Sequence, residues 1–129
     1  MLKIITRPFK YIYSIIREKN KSRNRSAKWN NVRDNFIKSN PFCAACGTKE
    51  KLQVHHISPF YLHPELELDE KNLISLCMSK NECHLAIGHG GSFRYYNPRV
   101  TLHAKRFFIE KNKKVKESII ELCKIMREK

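Results

Sequence analysis

Residues 43–89 read CAACGTKEKLQVHHISPFYLHPELELDEKNLISLCMSKNECHLAIGH, and they hold four of the five cysteines and five of the six histidines of this 129-residue chain. Cys43 and Cys46 form a Cys-x2-Cys knuckle, with Gly47 supplying the permissive backbone such a turn needs. Cys77 and Cys83 form a second, wider pair just before His84. Between the pairs stand the tandem histidines His55 and His56 and the step Asn72-Leu73.

Two kinds of metal chemistry follow from this arrangement. Four thiolates in two pairs, separated by the 30 residues from Gly47 to Leu76, can close a tetrahedral structural zinc site at Cys43, Cys46, Cys77 and Cys83. In a thiol-reducing cytoplasm cysteines at this spacing point to metal before disulfide. The histidines require a different account, because adjacent side chains of a strand point to opposite faces. If His55 turns toward the following helix, it can share a divalent cation with His84 and His89 and leave positions open for phosphate and water. His56 would then face the scissile phosphate, where a neutral imidazole can take a proton from water. His89 lies five residues after His84, so an ideal α-helix would not bring both to one face. A break at Gly88 would let His89 swing back.

Around that segment, Phe9, Ile12, Tyr13 and Ile16 form an apolar stripe at helical spacing after Pro8. A polar basic run over residues 19–28 reads as a linker or a nucleic-acid arm. Ser26 can cap a second helix carrying Trp29, Val32 and Phe36 on its packed face, ended by Asn40-Pro41. Residues 52–57 read as a strand, 58–71 as a folded loop and 73–76 as a second strand. A short helix should begin at Asn81 or Glu82 and stop at Gly88. The aromatic, glycine-rich GGSFRYYNPRV reads as a loop against this unit, and beyond Pro98 a helix carries Val115, Ile119, Leu122, Cys123 and Met126 as a stripe. Cys123 reads as a small buried hydrophobe.

Charge is divided unevenly within the formal +14. Residues 1–42 carry eleven Lys and Arg against two acidic residues, residues 43–98 five against six, and residues 99–129 ten against four. Two basic arms flank a near-neutral centre, which suits phosphate neutralisation by the arms and local chemistry at the centre. The candidate phosphate contacts are Lys19, Lys21, Arg23, Arg25, Lys28, Arg33, Arg94, Lys105 and Arg106. No apolar run approaches the roughly 20 residues of a membrane span, and the amino terminus lacks the small-residue cleavage site of a secretory signal.

The order Cys-x2-Cys, then Val54-His55-His56-Ile57 with Pro59, then Asn72-Leu73-Ile74 and Leu76-Cys77, then Cys83-His84, resembles the HNH endonuclease family. The resemblance implies an α+β fold: a small ββα-metal (His-Me) finger, stapled by a four-cysteine zinc and flanked by N- and C-terminal α-helices. It covers roughly residues 26–98 as the nuclease domain, and the charge and helical stripes read as a basic amphipathic arm over 1–25 and a basic helical extension over 99–129. It further implies His56 as general base, Asn72 as the residue holding the loop that positions it, and His55 and His84 as ligands of the catalytic cation. His89 is similar to the last histidine of the subgroup with three histidine ligands, which includes the nuclease colicins. Ser92, Tyr95, Tyr96, Asn97 and Pro98 resemble a sequence that follows the finger in some phage and bacterial members. The implied reaction is hydrolysis of DNA phosphodiester bonds with one divalent cation (Mg²⁺, Mn²⁺, Ni²⁺ or Zn²⁺) in a bacterial or phage-infected cytoplasm, with a homodimer or a phage or mobile-element protein as partner. The rival readings are a zinc-stapled nucleic-acid-binding module without chemistry, and a membrane-surface role for the amphipathic amino terminus.

Overall fold

The structure, a computed structural model, describes residues 24–127, and their side chains except those of residues 115, 116, 119 and 121–127. The stripe over residues 9–16 and the cations Lys19, Lys21 and Arg23 lie outside the described residues, as do the side chains of Val115, Ile119, Leu122, Cys123 and Met126.

Two short strands form the centre. β1 (Leu52–His56) and β2 (Leu73–Cys77) pair antiparallel, with Leu52 opposite Cys77 and His56 opposite Leu73. Every residue of β2 is buried, which explains why LISLC does not alternate between apolar and charged residues: both of its faces are covered. β1 is buried only at His55 and His56. The intervening segment is the folded loop its irregular sequence suggests, with 3₁₀ turns at Pro64–Leu66 and Glu70–Asn72. The Asp69 carboxylate caps the second turn by accepting from the Lys71 backbone N–H at 3.0 Å.

The helical turn of the finger runs over His84–Gly88 and is wound more widely than an α-helix. Its hydrogen bonding starts at the Glu82 carbonyl, which accepts from Ala86 N at 2.8 Å, and then widens so that His89 N donates to His84 O at 3.1 Å. That i→i+5 bond makes it a π-turn, a rare form that is frequent at functional sites. The turn ends at Gly88, as its sequence suggests.

Helices flank this unit on both sides. α1 (Trp29–Ser39) buries Phe36 and ends where Asn40 donates to the Phe36 carbonyl through its backbone N–H (2.8 Å) and its side-chain amide (3.0 Å). Ser26 closes the turn before α1: its hydroxyl accepts from Lys28 N and its carbonyl from Trp29 N, so Lys28 holds the capping position without a side-chain bond. α2 (Val100–Arg127) is 28 residues long, yet among its described side chains only Val100 and Ala104 are buried. Its anchor is completed by Lys111, whose ammonium donates to the Cys46 carbonyl at 2.9 Å.

The core gathers Cys43, Cys46, Cys77 and Cys83 with Ile74, Leu76 and the Val100–Ala104 turn, and Leu52, Ile57 and Ile87 pack against it. The architecture is α+β, a ββα unit between two helices. Among the described residues no helix is long and apolar enough to cross a membrane.

Candidate metal centres and active site

The cysteine knuckle is fixed to β2 by its backbone. Ala44 N donates to Ser75 O at 2.9 Å, and Cys43 N donates to Thr48 O at 2.8 Å. On the far side Glu82 takes a left-handed backbone (φ 44°), which turns the chain sharply into Cys83 and closes the wide Cys77-x5-Cys83 spacing. The four Sγ atoms lie within 4.8 Å of one another, with Cys46 and Cys77 at 3.6 Å, and all four cysteines are buried and free of disulfides. Burial pushes the Cys43 and Cys83 thiols up, and Cys83 also meets the neighbouring cysteine sulfurs. Burial also works against the Cys77 thiolate, but hydrogen bonds from Ser79, the Cys83 backbone and Cys46 outweigh it and hold Cys77 at about 6. Four sulfurs this close in an apolar core cannot all ionise unaided, and a bound cation resolves that conflict. The donor set fits a metal ion.

The second cluster brings together β1 and the π-turn. His55, His84 and His89 bring one ring nitrogen each within 4.8 Å of the others. His55 Nδ1 is 3.1 Å from His84 Nε2, which is 3.3 Å from His89 Nε2. The outward nitrogens fix the proton positions: His89 Nδ1 lies 2.6 Å from the Tyr95 carbonyl and His84 Nδ1 2.7 Å from Gln53 Oε1. A carbonyl oxygen only accepts, so each ring carries its proton on Nδ1 and turns the Nε2 lone pair inward. Burial lowers His55 to about 3, with the nearby histidines adding to it, and lowers His84 to about 4, with His89 adding to it. Three ring nitrogens facing one another within 4.8 Å fit a cation. His55 Nε2 is buried without a hydrogen-bond partner among the described residues, as expected of a ring oriented to present Nδ1 to the cluster. Gly88 permits that orientation, because a Cβ there would stand 3.2 Å from His55 Cε1 and Nδ1 and from Leu76 Cδ1.

The π-turn answers the spacing problem between His84 and His89. The wider winding carries His89 back beside His84 without a break in the chain. No residue type announces this, since it depends on a backbone hydrogen bond.

His56 points to the opposite face of β1, toward α1. Its ring lies 4.5 Å from the Trp29 ring at 31°, and its Nε2 is 2.9 Å from the Glu67 carbonyl. Nε2 therefore carries the proton and Nδ1 the free lone pair. Burial lowers its pKa; the Glu67 carbonyl opposes that shift and the Arg25 charge adds to it. Asn72 ties down the loop that supplies this carbonyl: its Oδ1 accepts from Ser58 N at 2.7 Å, and its Nδ2 donates to Ser58 O at 3.0 Å and to Leu66 O at 3.3 Å.

Arg25 stands at the mouth of the site. Its guanidinium lies 5.0 Å from the Trp29 ring centroid and 4.8 Å from that of Phe60, and Nη1 is 3.4 Å from the carboxylate of Glu67. Glu67 is buried, and its other oxygen accepts from Ser26 N at 3.0 Å. One residue thus holds Arg25 with its side chain and His56 with its backbone. Arg25 lines one cleft with His55, His56, His84 and His89, and Arg33, bonded to Asp34 at 3.0 Å, lines a neighbouring groove with Trp29 and His56. Lys28, Arg94, Lys105 and Arg106 are exposed and line neither the cleft nor the groove. His63 pairs with Glu65 and His103 with Asn97, outside the cluster.

Three residues with work at the site carried no functional signal in the sequence. Gln53 and Glu67 look like ordinary polar surface, and Trp29 looks like core. Asn97 joins the π-turn to α2, donating to Ile87 O at 2.9 Å through its side chain and to Gly88 O at 3.1 Å through its backbone.

No curated protein and no solved structure matches the chain. Residues 43–90, the span that supplies both donor clusters, match the family model described as HNH endonuclease.

Proposed function

We propose, from the match of residues 43–90 to the HNH endonuclease family model, that this protein is a metal-dependent endonuclease that hydrolyses DNA phosphodiester bonds. The observation that carries the reading is the fixed tautomer of His56. Nε2–H donates to Glu67 O, so Nδ1 is the atom that takes a proton from the attacking water. The water oxygen bonds to phosphorus as the P–O3′ bond breaks, leaving a 5′-phosphate and a 3′-hydroxyl. Asn72 acts at one remove by holding residues 58 and 66, and through them the carbonyl that orients His56. His55, His84 and His89 would hold the divalent cation, which when bound neutralises phosphate oxygens and stabilises the leaving 3′ oxygen. Cys43, Cys46, Cys77 and Cys83 would hold a structural zinc.

Arg25 binds a phosphate oxygen in this scheme. Its guanidinium is positioned by Glu67 and two aromatic faces before substrate arrives. Lys19, Lys21, Arg23, Lys28, Arg33, Arg94, Lys105 and Arg106 would add sequence-independent affinity through the phosphate backbone.

Supercoiled plasmid incubated with wild type and His56→Ala, with Mg²⁺, Mn²⁺, Ni²⁺, Zn²⁺ or EDTA, tests the reading. Wild type is expected to relax or linearise the plasmid with metal only, and folded His56→Ala to bind without cutting. Plasmid left intact by wild type under every metal, with binding retained, would instead make the chain a zinc-stapled binding module.

A further inference from the structure

The cleft that the histidines border also carries aromatic surface that phosphate chemistry alone does not require. It encloses about 310 Å³, at the small end of ligand pockets. Pro59, Phe60 and Tyr61 from the loop after β1 line it, together with Phe93, Tyr95 and Tyr96 from the segment after the π-turn. We propose that this cleft takes the base of an unpaired nucleotide next to the scissile phosphate, so that the preferred substrate is locally single-stranded DNA. The inference rests on the nuclease reading and specifies its substrate.

Phe93 carries most of the argument. It is 55% exposed, although its ring lies 4.9 Å from His89 and 5.8 Å from His84. A large apolar ring left in water against a cation site is a surface for another flat apolar ring. The bases of a polyanionic strand, drawn to a chain of charge +14, are the complementary chemistry. The ring is placed by a built turn. Gly90 and Gly91 both take left-handed backbone (φ 59° and 91°), Tyr95 N donates to Ser92 O at 3.0 Å, and the Tyr95 carbonyl accepts from His89. The same residues that orient a cluster histidine therefore set the aromatic wall. In the same cleft Phe60 lies against Arg25, which places a cation for the phosphate beside an aromatic surface for the base.

A paired duplex keeps its bases stacked inside the helix, where side-chain rings reach them only after unstacking. A cleft lined by aromatic rings, with Arg25 as its one lysine or arginine among the described residues, thus favours strands whose bases are already free. A groove for intact duplex would instead present cations along the backbone.

The test uses the full chain and one labelled strand presented in three forms: alone, in a duplex with a bulge, and fully paired. With divalent metal, wild type is expected to cut the single strand, and the bulged duplex beside the bulge, at least about tenfold faster than the paired form, a factor equal to one base stack. Phe93→Ala should raise KM on the unpaired forms by about the same factor, while Phe93→Trp restores it. Equal rates on paired and unpaired forms would overturn the proposal, and that comparison needs no variant. A second readout uses 2-aminopurine in the unpaired strand, without divalent metal so that nothing is cut. Wild type should quench its fluorescence and Phe93→Ala should not. Absence of quenching by wild type sinks the base cleft whatever the cleavage assay gives. Quenching without cleavage under any metal instead sinks the nuclease reading and leaves the cleft standing.

Discussion

The two donor clusters lie on the same short sheet and could hardly be more differently housed. The cysteines are the middle of the core, each buried against Ile74, Leu76 and the first turn of α2. The histidines border a cleft, and only His55 among the three is fully covered. The cysteines come from three separate segments, the knuckle, the end of β2 and the residue before the π-turn, so an ion held there would tie pieces of the fold together. The histidines come from β1 and the π-turn and open on the cleft, so an ion held there would add chemistry to that frame. On the proposed function, a metal in the first position would serve folding and a metal in the second would serve cleavage.

The strongest way to break this comparison is to remove a thiolate. Cys83→Ser, or chelation strong enough to strip a zinc, should abolish cooperative thermal unfolding followed by circular dichroism, since structural zinc contributes on the order of 10 kcal/mol in small fingers. A variant that still melts cooperatively near the wild-type temperature would show that packing alone holds the core. His84→Ala should behave oppositely. Bound metal counted by elemental analysis should fall by one ion per chain, cleavage should drop by about a hundredfold or more, and the melting temperature should stay within a few degrees of wild type. Loss of fold in His84→Ala would erase the distinction between the clusters.

Asn72 tests the frame between them. Its three hydrogen bonds span the loop from Ser58 to Leu66, and alanine would remove these partners from the part-buried Ser58 N–H and carbonyl, while Leu66 O would keep only its bond from Asp69 N. A cost of about 2–4 kcal/mol in chemical denaturation is expected. Cleavage should fall further than stability accounts for, because the Glu67 carbonyl that orients His56 shifts with the loop. Asn72→Asp keeps the acceptor for Ser58 N and loses both donor bonds, so it should fall between alanine and wild type.

Much of this was legible in the sequence because it is written in covalent spacing. The knuckle, the second cysteine pair and the paired histidines on alternating faces of a strand follow from residue type and the period of a β-strand. The two strands and the end of the turn at Gly88 were readable for the same reason. What stayed hidden depends on backbone atoms or on distant segments. The π-turn that reunites His84 and His89 is a single hydrogen bond of changed register. Glu67 sits in an acidic run that looks like solvated surface, yet its carbonyl and carboxylate serve two different site residues. Trp29 has the spacing of a packed helix residue, and its packing partner turns out to be His56. The aromatic segment after the turn supplied residue types but no destination, since its direction is set by two left-handed glycines.

A smaller effect refines the account of the histidine site. Gly88→Ala would press on the His55 ring and on Leu76 from 3.2 Å, a distance that asks the neighbours to give by a few tenths of an ångström. Divalent affinity at the cluster, measured by isothermal titration with the zinc site loaded, should weaken by about tenfold, as changes behind a metal ligand commonly do. Unchanged affinity would mean that His55 moves freely and contributes little to the site.

The smallest expected change lies outside the histidine cleft and separates affinity from chemistry. α2 leaves the core after its first turns and carries Lys105 and Arg106 exposed on its surface. If they touch phosphates, replacing both by alanine should flatten the dependence of log Kd on log salt by up to about two units, roughly one for each cation that had paired with a phosphate. Single-turnover cleavage at saturating protein should be unchanged, because neither residue borders the histidine cleft. An unchanged salt slope would assign this face of α2 to something other than the strand being cut. A fall in the single-turnover rate would mean that the helix helps to place the scissile phosphate, and the division between a binding extension and a catalytic finger would have to be redrawn.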